Sequence, residues 1–399
     1  MQFIVVRYAE IALKGGNRDW FEKMLINNIR KHLKKIGWTR VTKIHGRIMV
    51  EVEGEQDRIS EIMRNIPGIA NFSYATSCDH NMETIGKAGV ELLKTYFEQN
   101  NKSSISFRVY AKRSSKDFPM NSPKLAGELG GMMLDQFPQL QVQLKNPELT
   151  LGIEIWHNER SIVYLEKIQG MGGLPVGSSG NVISFLSGGI DSPVASCMMM
   201  RRGCKTIFLN FHSYPFIGEQ SREKVIDLVT HLSRYQPKTT LIIAPFTKIQ
   251  KAIKDNCREK YRTILYRRMM YLIAERIIGR YRVSAYVTGE AVGQVASQTL
   301  KNLACTEAAA SLPVLRPLIG MDKSDIIERA KEIGTYPISI QPFPDCCTVF
   351  QPKKPETQGK LELVVGEEER FDFESLIDEA VENLEIITME SSIQEKFWD

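Results

Sequence analysis

The sequence has no long hydrophobic run and no targeting segment. No stretch approaches the roughly 18 apolar residues that span a bilayer, and residues 1–7 read as a strand rather than a signal peptide. We therefore expect a cytoplasmic protein without a membrane partner. The sequence also shows no internal repeat and no low-complexity segment. Its 399 residues, 43% of them hydrophobic, suffice for two or three domains, each with its own core.

Cysteine is scarce and irregularly spaced. The chain contains 7 cysteines, an odd number that argues against a disulfide framework. No CxxC pair or His/Cys cluster has the spacing of a zinc site, so no protein-held metal centre is predicted. Most of the thiols are expected to be buried as small apolar side chains. Cys346 and Cys347 are the exception, because they are adjacent and follow a proline-broken segment that predicts a loop.

Acidic residues are depleted over most of the chain and concentrated at its end. Residues 1–345 contain 47 lysines and arginines against 33 acidic residues, whereas residues 346–399 contain 5 against 14. The net charge of +5 therefore combines a basic body with an acidic, helix-like tail. A basic body is typical of nucleic-acid-binding proteins, although a solvated surface has the same composition.

A Walker A motif is also absent, yet one glycine-rich loop has the properties of a phosphate site. Residues 187–192 read Ser-Gly-Gly-Ile-Asp-Ser and lie between an apolar run and a helical pattern. Gly188 and Gly189 allow consecutive N–H groups to point at an anion. Ser187 and Ser192 add hydroxyl donors. The N-terminus of the following helix places the positive end of the helix dipole beside the loop. The loop predicts a polyphosphate ligand, and an ordinary strand-to-helix turn is the structural alternative.

The order of predicted elements indicates a multidomain protein of α+β and α/β classes. We expect a ferredoxin-like unit at residues 1–76, a second α+β unit at 77–168, a glycine-rich linker at 169–180 and an α/β unit at 181–399. In the last unit, helical patterns alternate with strands, which predicts a doubly wound parallel sheet. The strands are expected at residues 182–186, 206–212, 240–245 and 285–288. Ligands bind beyond the carboxyl ends of such strands, where the glycine loop lies.

Basic residues in the second unit form a candidate RNA contact. Lys112, Arg113 and Lys116 are predicted in a short turn before Phe118, a composition that suits an RNA backbone. A solvated hairpin tip explains the same residues equally well. Paired strands are expected nearby, around residues 141–144 and 151–156.

Several segments together resemble a known family over essentially the whole chain. The glycine loop resembles the PP-loop of ATP pyrophosphatases, which split ATP between its α and β phosphates. The complete set resembles the tRNA 4-thiouridine synthase family, the ATP-dependent tRNA uridine sulfurtransferases. The matching segments are residues 7–10, 14–15, 170–177, 186–193, 288–290, 293–299 and 345–348. The resemblance implies that a ferredoxin-like unit, a THUMP-like RNA-binding unit and a PP-loop ATP pyrophosphatase domain follow one another.

The resemblance also implies a set of ATP contacts and a catalytic pair. Asp191 would orient the loop or a Mg²⁺ ion that arrives with ATP, and Cys347 would be the catalytic cysteine. Buried strand positions are the alternative interpretation for Phe185, Leu186 and Phe211. The implied ATP-binding residues are Phe185, Leu186, Ser187, Gly188, Gly189, Asp191, Ser192, Asn210, Phe211, Arg267, Gly289 and Gln298.

The reaction that the resemblance implies has two stages. ATP adenylates O4 of uridine 8 in tRNA and releases pyrophosphate, and persulfide sulfur then displaces AMP at C4. Implied partners are tRNA and a cysteine desulfurase as the sulfur donor, with a homodimer as an open alternative to a monomer. Residues 248–282, with 11 basic against 3 acidic residues, would add a tRNA-contacting face or form a charged helical surface.

The sulfur carrier is the point at which the sequence departs from part of the family. Some members append a rhodanese domain that carries the persulfide and is linked to thiamine thiazole synthesis, and the present sequence ends at Asp399 without a cysteine after Cys347. A partner that resolves a disulfide after sulfur transfer is sought in Cys204 or Cys197, which lie near the glycine loop in sequence. Cys346 is expected to be a bystander, and no stable bond between adjacent cysteines is expected.

Two other functional classes fit the glycine loop. A PP-loop amidating ligase adenylates a carbonyl and admits ammonia, but no glutaminase-like segment is visible in the sequence. A tRNA-binding protein without chemistry is the other alternative, and the intact loop at residues 187–192 and Cys347 argue against it. Pyrophosphate release that requires both tRNA and a persulfide donor would separate the three.

Overall fold

The computed structural model describes residues 1–44, 46–114, 118–156 and 160–391. The chain divides into two compact units, Met1–Gly173 and Leu174–Asp399. Among the described residues, no helix has the length and apolar character needed to cross a bilayer.

The first unit contains two sheets. Its elements are β1 (Gln2–Arg7), α1 (Arg18–Leu33), β2 (Thr39–Ile44), β3 (Arg47–Val52), α2 (Gln56–Arg64), β4 (Asn71–Tyr74), β5 (Thr76–Asp79), α3 (Met82–Gln99), β6 (Ile105–Arg113), α4 (Ser122–Gln136), β7 (Leu140–Val142), β8 (Leu149–Ile155), β9 (Arg160–Tyr164) and β10 (Ile168–Gln169).

The first sheet has the predicted ferredoxin-like arrangement. Its strand order is β10-β4-β1-β3-β2, with antiparallel pairing throughout. Leu25, Ile29 and Leu33 of α1 are fully buried, because their spacing places them on the helix face that covers the sheet. The late strand β10 pairs with β4, so Gln169 belongs to this sheet rather than to an irregular linker.

The second sheet has the order β5-β9-β8-β6-β7 and is covered by α3 and α4. The prediction of paired strands near residues 141–144 and 151–156 is wrong. Strands β7 and β8 each pair in parallel with β6, on its opposite edges, and not with each other. The basic turn is also displaced, because Lys112 and Arg113 are the last residues of β6.

The second unit is an α/β domain. Its elements are β11 (Asn181–Phe185), α5 (Asp191–Arg201), β12 (Lys205–His212), α6 (Glu219–Leu232), β13 (Lys238–Pro245), α7 (Thr247–Asn256), α8 (Arg262–Glu275), α9 (Ile278–Tyr281), β14 (Val283–Val287), α10 (Leu300–Glu307), β15 (Val314–Leu315), α11 (Lys323–Glu332), α12 (Tyr336–Ser339), α13 (Leu361–Glu368), α14 (Phe373–Glu382) and β16 (Glu385–Glu390).

The sheet of this unit is covered on both faces, as the alternating pattern predicts. Its order is β15-β14-β11-β12-β13-β16. Val182 packs with Val194 of α5 and Ile326 of α11 on one face, whereas Ile183 lies in the large core that includes α7 and α8 on the other. The neighbours of β11 are β12 and β14, so the chain reverses its winding there and leaves a crevice at the carboxyl end of β11.

The end of the chain differs from the expected acidic helix. Strand β16 pairs antiparallel with β13, which makes the otherwise parallel sheet mixed. The helices α13 and α14, and the loop before α13, also carry carboxylates of residues 346–399 to the basic stretch 248–282. The resulting ion pairs are Lys248–Glu379, Arg258–Glu367, Lys260–Glu356, Arg268–Glu368 and Arg276 with Glu374 and Asp378. Five of the 11 basic residues in this stretch, which was interpreted as a tRNA-contacting face or a charged helical surface, are therefore neutralised by these carboxylates within the unit.

Candidate active site

A cavity of about 190 Å³ lies at the carboxyl ends of β11 and β12. It is the crevice that the reversal of strand order creates, so the fold places the glycine loop at its edge. The residues that line it are Phe185, Leu186, Ser187, Asp191, Ser192, Asn210, Phe211, Arg267, Met270, Tyr271, Thr288, Gly289, Glu290, Gln298, Asp345, Cys346 and Cys347.

The glycine loop is ordered by its own serines. The Ser187 backbone N–H donates to Ser192 Oγ at 3.0 Å, and Gly189 N–H donates to Ser187 Oγ at 3.2 Å. Ser192 Oγ also donates to the Ser187 carbonyl oxygen at 3.3 Å. The loop runs directly into α5, whose first N–H groups have no partners within the helix. The serine hydroxyls and a helix N-terminus therefore converge where an anion can bind.

The first residue of α5, Asp191, faces the cavity and is held by two donors. Its carboxylate accepts a hydrogen bond from Gln294 Nε2 at 2.8 Å and forms an ion pair with Lys323. An ionised carboxylate offers about four lone-pair sites, so both oxygens retain capacity for another ligand. The donor set therefore fits a Mg²⁺ ion that is shared with phosphate oxygens.

Gly289 permits the close approach of two chain segments behind the loop. A Cβ atom at this position would lie 2.7 Å from Ser192 N and 2.8 Å from the Asp191 carbonyl carbon. Such distances are far inside van der Waals contact, so any side chain would displace the start of α5. The glycine in the Thr-Gly-Glu motif thus preserves the position of the phosphate loop.

A buried carboxylate organises the cationic wall of the cavity. Glu290 is only 3% exposed and forms ion pairs with Arg267 and with Arg316, the latter at 2.8 Å. Thr288 Oγ1 donates to the same carboxylate at 2.9 Å. Burial lowers the pKa of the Arg267 guanidinium, but Glu290 and the other acidic groups near it together outweigh burial and raise this pKa above its usual value. Arg267 is therefore a fixed, fully charged donor facing the site.

The cysteine loop closes the other side of the cavity. The Asp345 carboxylate accepts a hydrogen bond from Cys346 N–H at 2.8 Å, and Gln250 Nε2 donates to the Cys346 carbonyl oxygen at 2.9 Å. Ser221 Oγ anchors the loop further by donating to the Pro344 carbonyl oxygen at 2.8 Å. The Sγ atoms of Cys346 and Cys347 are 3.9 Å apart.

The two adjacent thiols have different surroundings. Cys346 is 5% exposed, whereas Cys347 is half-buried. The hydrogen bond with Cys347, followed by burial, raises the pKa of Cys346 well above its ordinary value. Cys346 therefore stays protonated and can donate its S–H to Cys347. Since the thiolate is the nucleophile, Cys347 is the better placed of the two.

The structure brings most of the residues proposed for ATP binding to one cavity. The exceptions are the two glycines of the loop. Gly188 lines a small adjoining cavity beside Lys224, and the Gly189 carbonyl oxygen accepts from Ser339 Oγ at 3.2 Å. Asn210 Nδ2 donates to the Leu186 carbonyl oxygen at 2.8 Å, so it ties the ends of β11 and β12 together.

The suggested resolving cysteines lie elsewhere. Cys197 and Cys204 are buried and line none of the cavities around the glycine loop that the described residues form. Burial raises the pKa of Cys197 to about 12 and also raises the pKa of Cys204. Proximity in sequence is misleading here, because α5 and the turn after it carry both thiols away from the loop.

The residues suggested for RNA contact are divided. Lys112 is exposed, but Arg113 donates to the carbonyl oxygens of Phe118 and Met120, at 3.1 and 2.8 Å, and so fastens the following loop. Lys116 lies outside the described residues.

A concave surface that sequence reasoning missed lies in the same unit, and it has Glu148 and Glu166 beside its three cations. Arg64, Arg108 and Lys167 line it together with Tyr110, which is 44% exposed. The Lys167 ammonium lies 5.4 Å from the Tyr110 ring centre.

The sequence did not identify four other residues of the site, because no local motif marks them. Glu290 and Asp345 occur within the recognised segments, but no spacing marks them as partners of distant cations. Arg316 and Lys323 are single charges far along the chain, and only the tertiary fold brings them to Glu290 and Asp191.

Comparison with known proteins covers the chain from end to end. Family models match at residues 3–73 (ThiI ferredoxin-like domain), 79–165 (THUMP domain) and 177–373 (Thiamine biosynthesis protein, ThiI). A probable tRNA sulfurtransferase of Acetivibrio thermocellus is 44% identical, over 97% of this chain and 98% of that protein. One of Thermoanaerobacter pseudethanolicus is 42% identical, over 96% and 98%.

A solved structure is similar over the same extent. It is a 4-thiouridine synthetase in complex with RNA and bound ATP, 37% identical in sequence, with a TM-score of 0.90. The alignment covers 98% of this chain and 100% of that one. A protein of Pyrococcus horikoshii is 27% identical with a TM-score of 0.66, over 84% of this chain and 100% of its own.

Proposed function

The chain belongs to the ThiI family, and from that premise we propose that it is a tRNA sulfurtransferase that converts uridine 8 of tRNA to 4-thiouridine with ATP. One observation carries this proposal. The phosphate loop at residues 187–192 and the Cys347 thiol face the same cavity. Adenylation and sulfur transfer can therefore occur on one bound uridine without release of the activated intermediate.

The first stage is adenylation of the uridine O4. The oxygen attacks the α-phosphorus of ATP, the bond to the β-phosphate breaks, and pyrophosphate leaves with the electron pair. The donors that stabilise the developing negative charge are the Ser187 and Ser192 hydroxyls, the Arg267 guanidinium and the unpaired N–H groups at the start of α5. Asp191 would hold Mg²⁺, which supplies further neutralisation of the phosphates when bound.

The second stage is sulfur transfer at C4. We propose that Cys347 accepts sulfane sulfur from a cysteine desulfurase and holds it as a persulfide. The terminal sulfur attacks C4, the C4–O bond breaks, and AMP leaves with the electron pair, so the uridine is then joined to Cys347 through a disulfide. A thiol reductant attacks Cys347 Sγ, the S–S bond breaks, and 4-thiouridine leaves with its sulfur. A second equivalent of the thiol regenerates free Cys347. The neighbouring Cys346 S–H, 3.9 Å away, can stabilise negative charge on Cys347 before and after the transfer.

Recognition of tRNA is proposed to use the first unit. The concave surface of Arg64, Arg108 and Lys167 offers cations for phosphates, and the exposed Tyr110 ring offers a face for a base. Lys112 remains an exposed candidate beside it. The reaction is placed in the cytoplasm, where its substrate is made. Sedimentation of the purified protein distinguishes a monomer from a homodimer.

Pyrophosphate release tests the proposal against the two alternatives. We expect release from ATP to require tRNA, and thiolation to require a persulfide donor in addition. Release that is stimulated by ammonia and leaves an amidated product would instead indicate an amidating ligase. Tight tRNA binding without any release would indicate a protein that has lost its chemistry.

A further inference from the structure

An exposed group of aromatic rings and lysines lies beside the cysteine loop in the second unit. The rings of Phe216 and Phe350 pack edge to face, with centres 4.9 Å apart and planes at 68°. Lys251 Nζ lies 5.4 Å from the Phe216 ring centre, and Lys254 Nζ lies 4.6 Å from that of Phe350. We refer to these four residues as the aromatic platform.

The platform is connected to the catalytic loop. Phe350 follows Cys347 by three residues, and the intervening turn is tied back by Gln351 Nε2, which donates to the Cys347 carbonyl oxygen at 3.2 Å. Phe350 has a φ of +55°, a left-handed conformation that a bulky side chain adopts only under constraint. Both Cys347 and Phe350 pack against the large core. The position of the ring is thus coupled to that of the thiol.

The charge of the platform differs from that of its surroundings. Several other cations of the basic stretch, such as Lys248 and Arg258, are paired with carboxylates of the acidic C-terminal segment. Lys251 and Lys254 form no ion pair within the part of the chain that the structure describes, and both are exposed. Phe216, whose side chain is apolar, is nevertheless 47% exposed. Two lysines without an acidic partner therefore flank the solvent-exposed ring of Phe216.

We propose that the aromatic platform stacks an unpaired nucleotide adjacent to the target uridine of the substrate RNA, an inference that rests on the proposed function. Proteins hold single-stranded nucleic acid by combining aromatic faces for the bases with cations for the backbone. Phe216 supplies the face, and Lys251 and Lys254 contact the flanking phosphates. Stacking the neighbouring nucleotide would keep the target base extruded towards Cys347.

The test uses the full-length protein and measures tRNA-dependent pyrophosphate release. We expect Phe216→Leu to raise KM for tRNA by about 5- to 150-fold, the range expected for loss of base–aromatic stacking, while direct ATP binding stays unchanged. Phe216→Tyr should restore the wild-type KM. Lys251→Gln should weaken tRNA binding and flatten its salt dependence, because one phosphate contact is lost. The matched control is Lys331→Gln, which removes another lysine that lies over a ring, at 5.4 Å from that of Tyr336.

A second arm identifies the occupant. Two tRNAs are made, each lacking the base on one side of the target uridine. One of them should raise the KM of the wild-type enzyme as much as Phe216→Leu does with intact tRNA. On that tRNA, the Phe216→Leu variant should have the same KM as the wild-type enzyme. Additive losses on both RNAs, or a Phe216→Leu KM like that of Lys331→Gln, would overturn the inference. A defect confined to sulfur transfer from the donor protein would also overturn it and assign the platform to protein docking. Failure of the wild-type enzyme to release pyrophosphate with intact tRNA would reject the proposed function itself.

Discussion

At the scale of single residues, the chemistry depends on which of two adjacent thiols is the nucleophile. Their order in the sequence does not decide this, but their surroundings do. Cys346 is buried, its carbonyl oxygen is held by Gln250, and its pKa is raised by its contact with Cys347. Cys347 faces the cavity with part of its surface open.

We therefore predict opposite outcomes for the two serine substitutions. Cys347→Ser should eliminate thiolation while retaining tRNA-dependent pyrophosphate release, because adenylation needs no thiol. Cys346→Ser should retain most of the thiolation activity. Nucleoside mass spectrometry and a pyrophosphate assay measure the two stages separately. The reverse ranking would reassign the nucleophile to Cys346.

A second prediction concerns the glycine behind the phosphate loop. Gly289→Ala should lower kcat/KM for ATP by about 100-fold, the order of loss that accompanies displacement of a catalytic group by about 1 Å. The added Cβ would meet Ser192 N at 2.7 Å. Gly320→Ala is the control, since a Cβ there meets nothing within 4 Å. Equal activities of the two variants would mean that the close approach is unimportant for the loop.

At the scale of elements, a buried ion pair joins the two sheets of the first unit. Arg7 of β1 contacts Glu154 of β8 at 2.9 Å, and Arg47 of β3 contacts the same carboxylate at 3.2 Å. Burial raises the pKa of Glu154, but the two arginines outweigh burial and lower it below its usual value. A carboxylate of this kind stabilises the folded state above its unfolded-state pKa and loses that contribution as the pH falls through the folded value.

Removal of Arg7 should therefore destabilise the protein in a pH-dependent way. We predict that Arg7→Met costs about 3–5 kcal/mol near pH 7, because the Glu154 charge is then poorly compensated. The deficit should shrink as the pH falls from about 4.5, the ordinary pKa of a glutamate, towards the lowered pKa of Glu154 in the folded protein. Denaturant titrations at several pH values measure the free energy of unfolding of both proteins. The control is Lys87→Met, which removes an exposed ion pair with Glu83 and should cost about 0–1 kcal/mol. A deficit that does not vary with pH would contradict this account of Glu154.

The same scale shows what local patterns predict. Alternation and helical spacing locate most strands and helices, such as α1, in which Leu25, Ile29 and Leu33 recur at helical spacing. They do not specify partners, so β7 and β8 were expected to pair although both flank β6. Strand β16 was missed because its acidic composition resembles the helices before it, and only pairing with β13 makes it a strand.

At the scale of the whole molecule, the charge counts of the sequence are correct but their interpretation is incomplete. The basic body was interpreted either as an RNA-binding surface or as a solvated one, whereas part of its charge is matched internally by the acidic C-terminal segment. Counts cannot distinguish the two cases, because pairing depends on where α13 and α14 pack. Likewise, glycines, serines and cysteines of the site occur in readable motifs, but Arg316 and Lys323 reach it only through the fold.

The cations on the concave surface of the first unit predict how tRNA binding depends on salt. If Lys167 contacts a phosphate, Lys167→Gln should weaken binding and reduce the slope of log affinity against log salt by about 0.7–0.9. Lys87→Gln, which removes a lysine paired with Glu83, should leave the slope unchanged. Identical slopes for both variants would exclude Lys167 from the interface.

The central claim is that one cavity first activates a uridine oxygen with ATP and then replaces it with sulfur. Its most direct test uses tRNA that carries ¹⁸O at O4 of the target uridine, incubated with the protein, ATP, cysteine and a cysteine desulfurase. Mass spectrometry should find 4-thiouridine in the tRNA and an equal amount of AMP containing one ¹⁸O atom. Formation of 4-thiouridine with unlabelled AMP, or ATP cleavage to labelled AMP without any thiolated nucleoside, would contradict the claim.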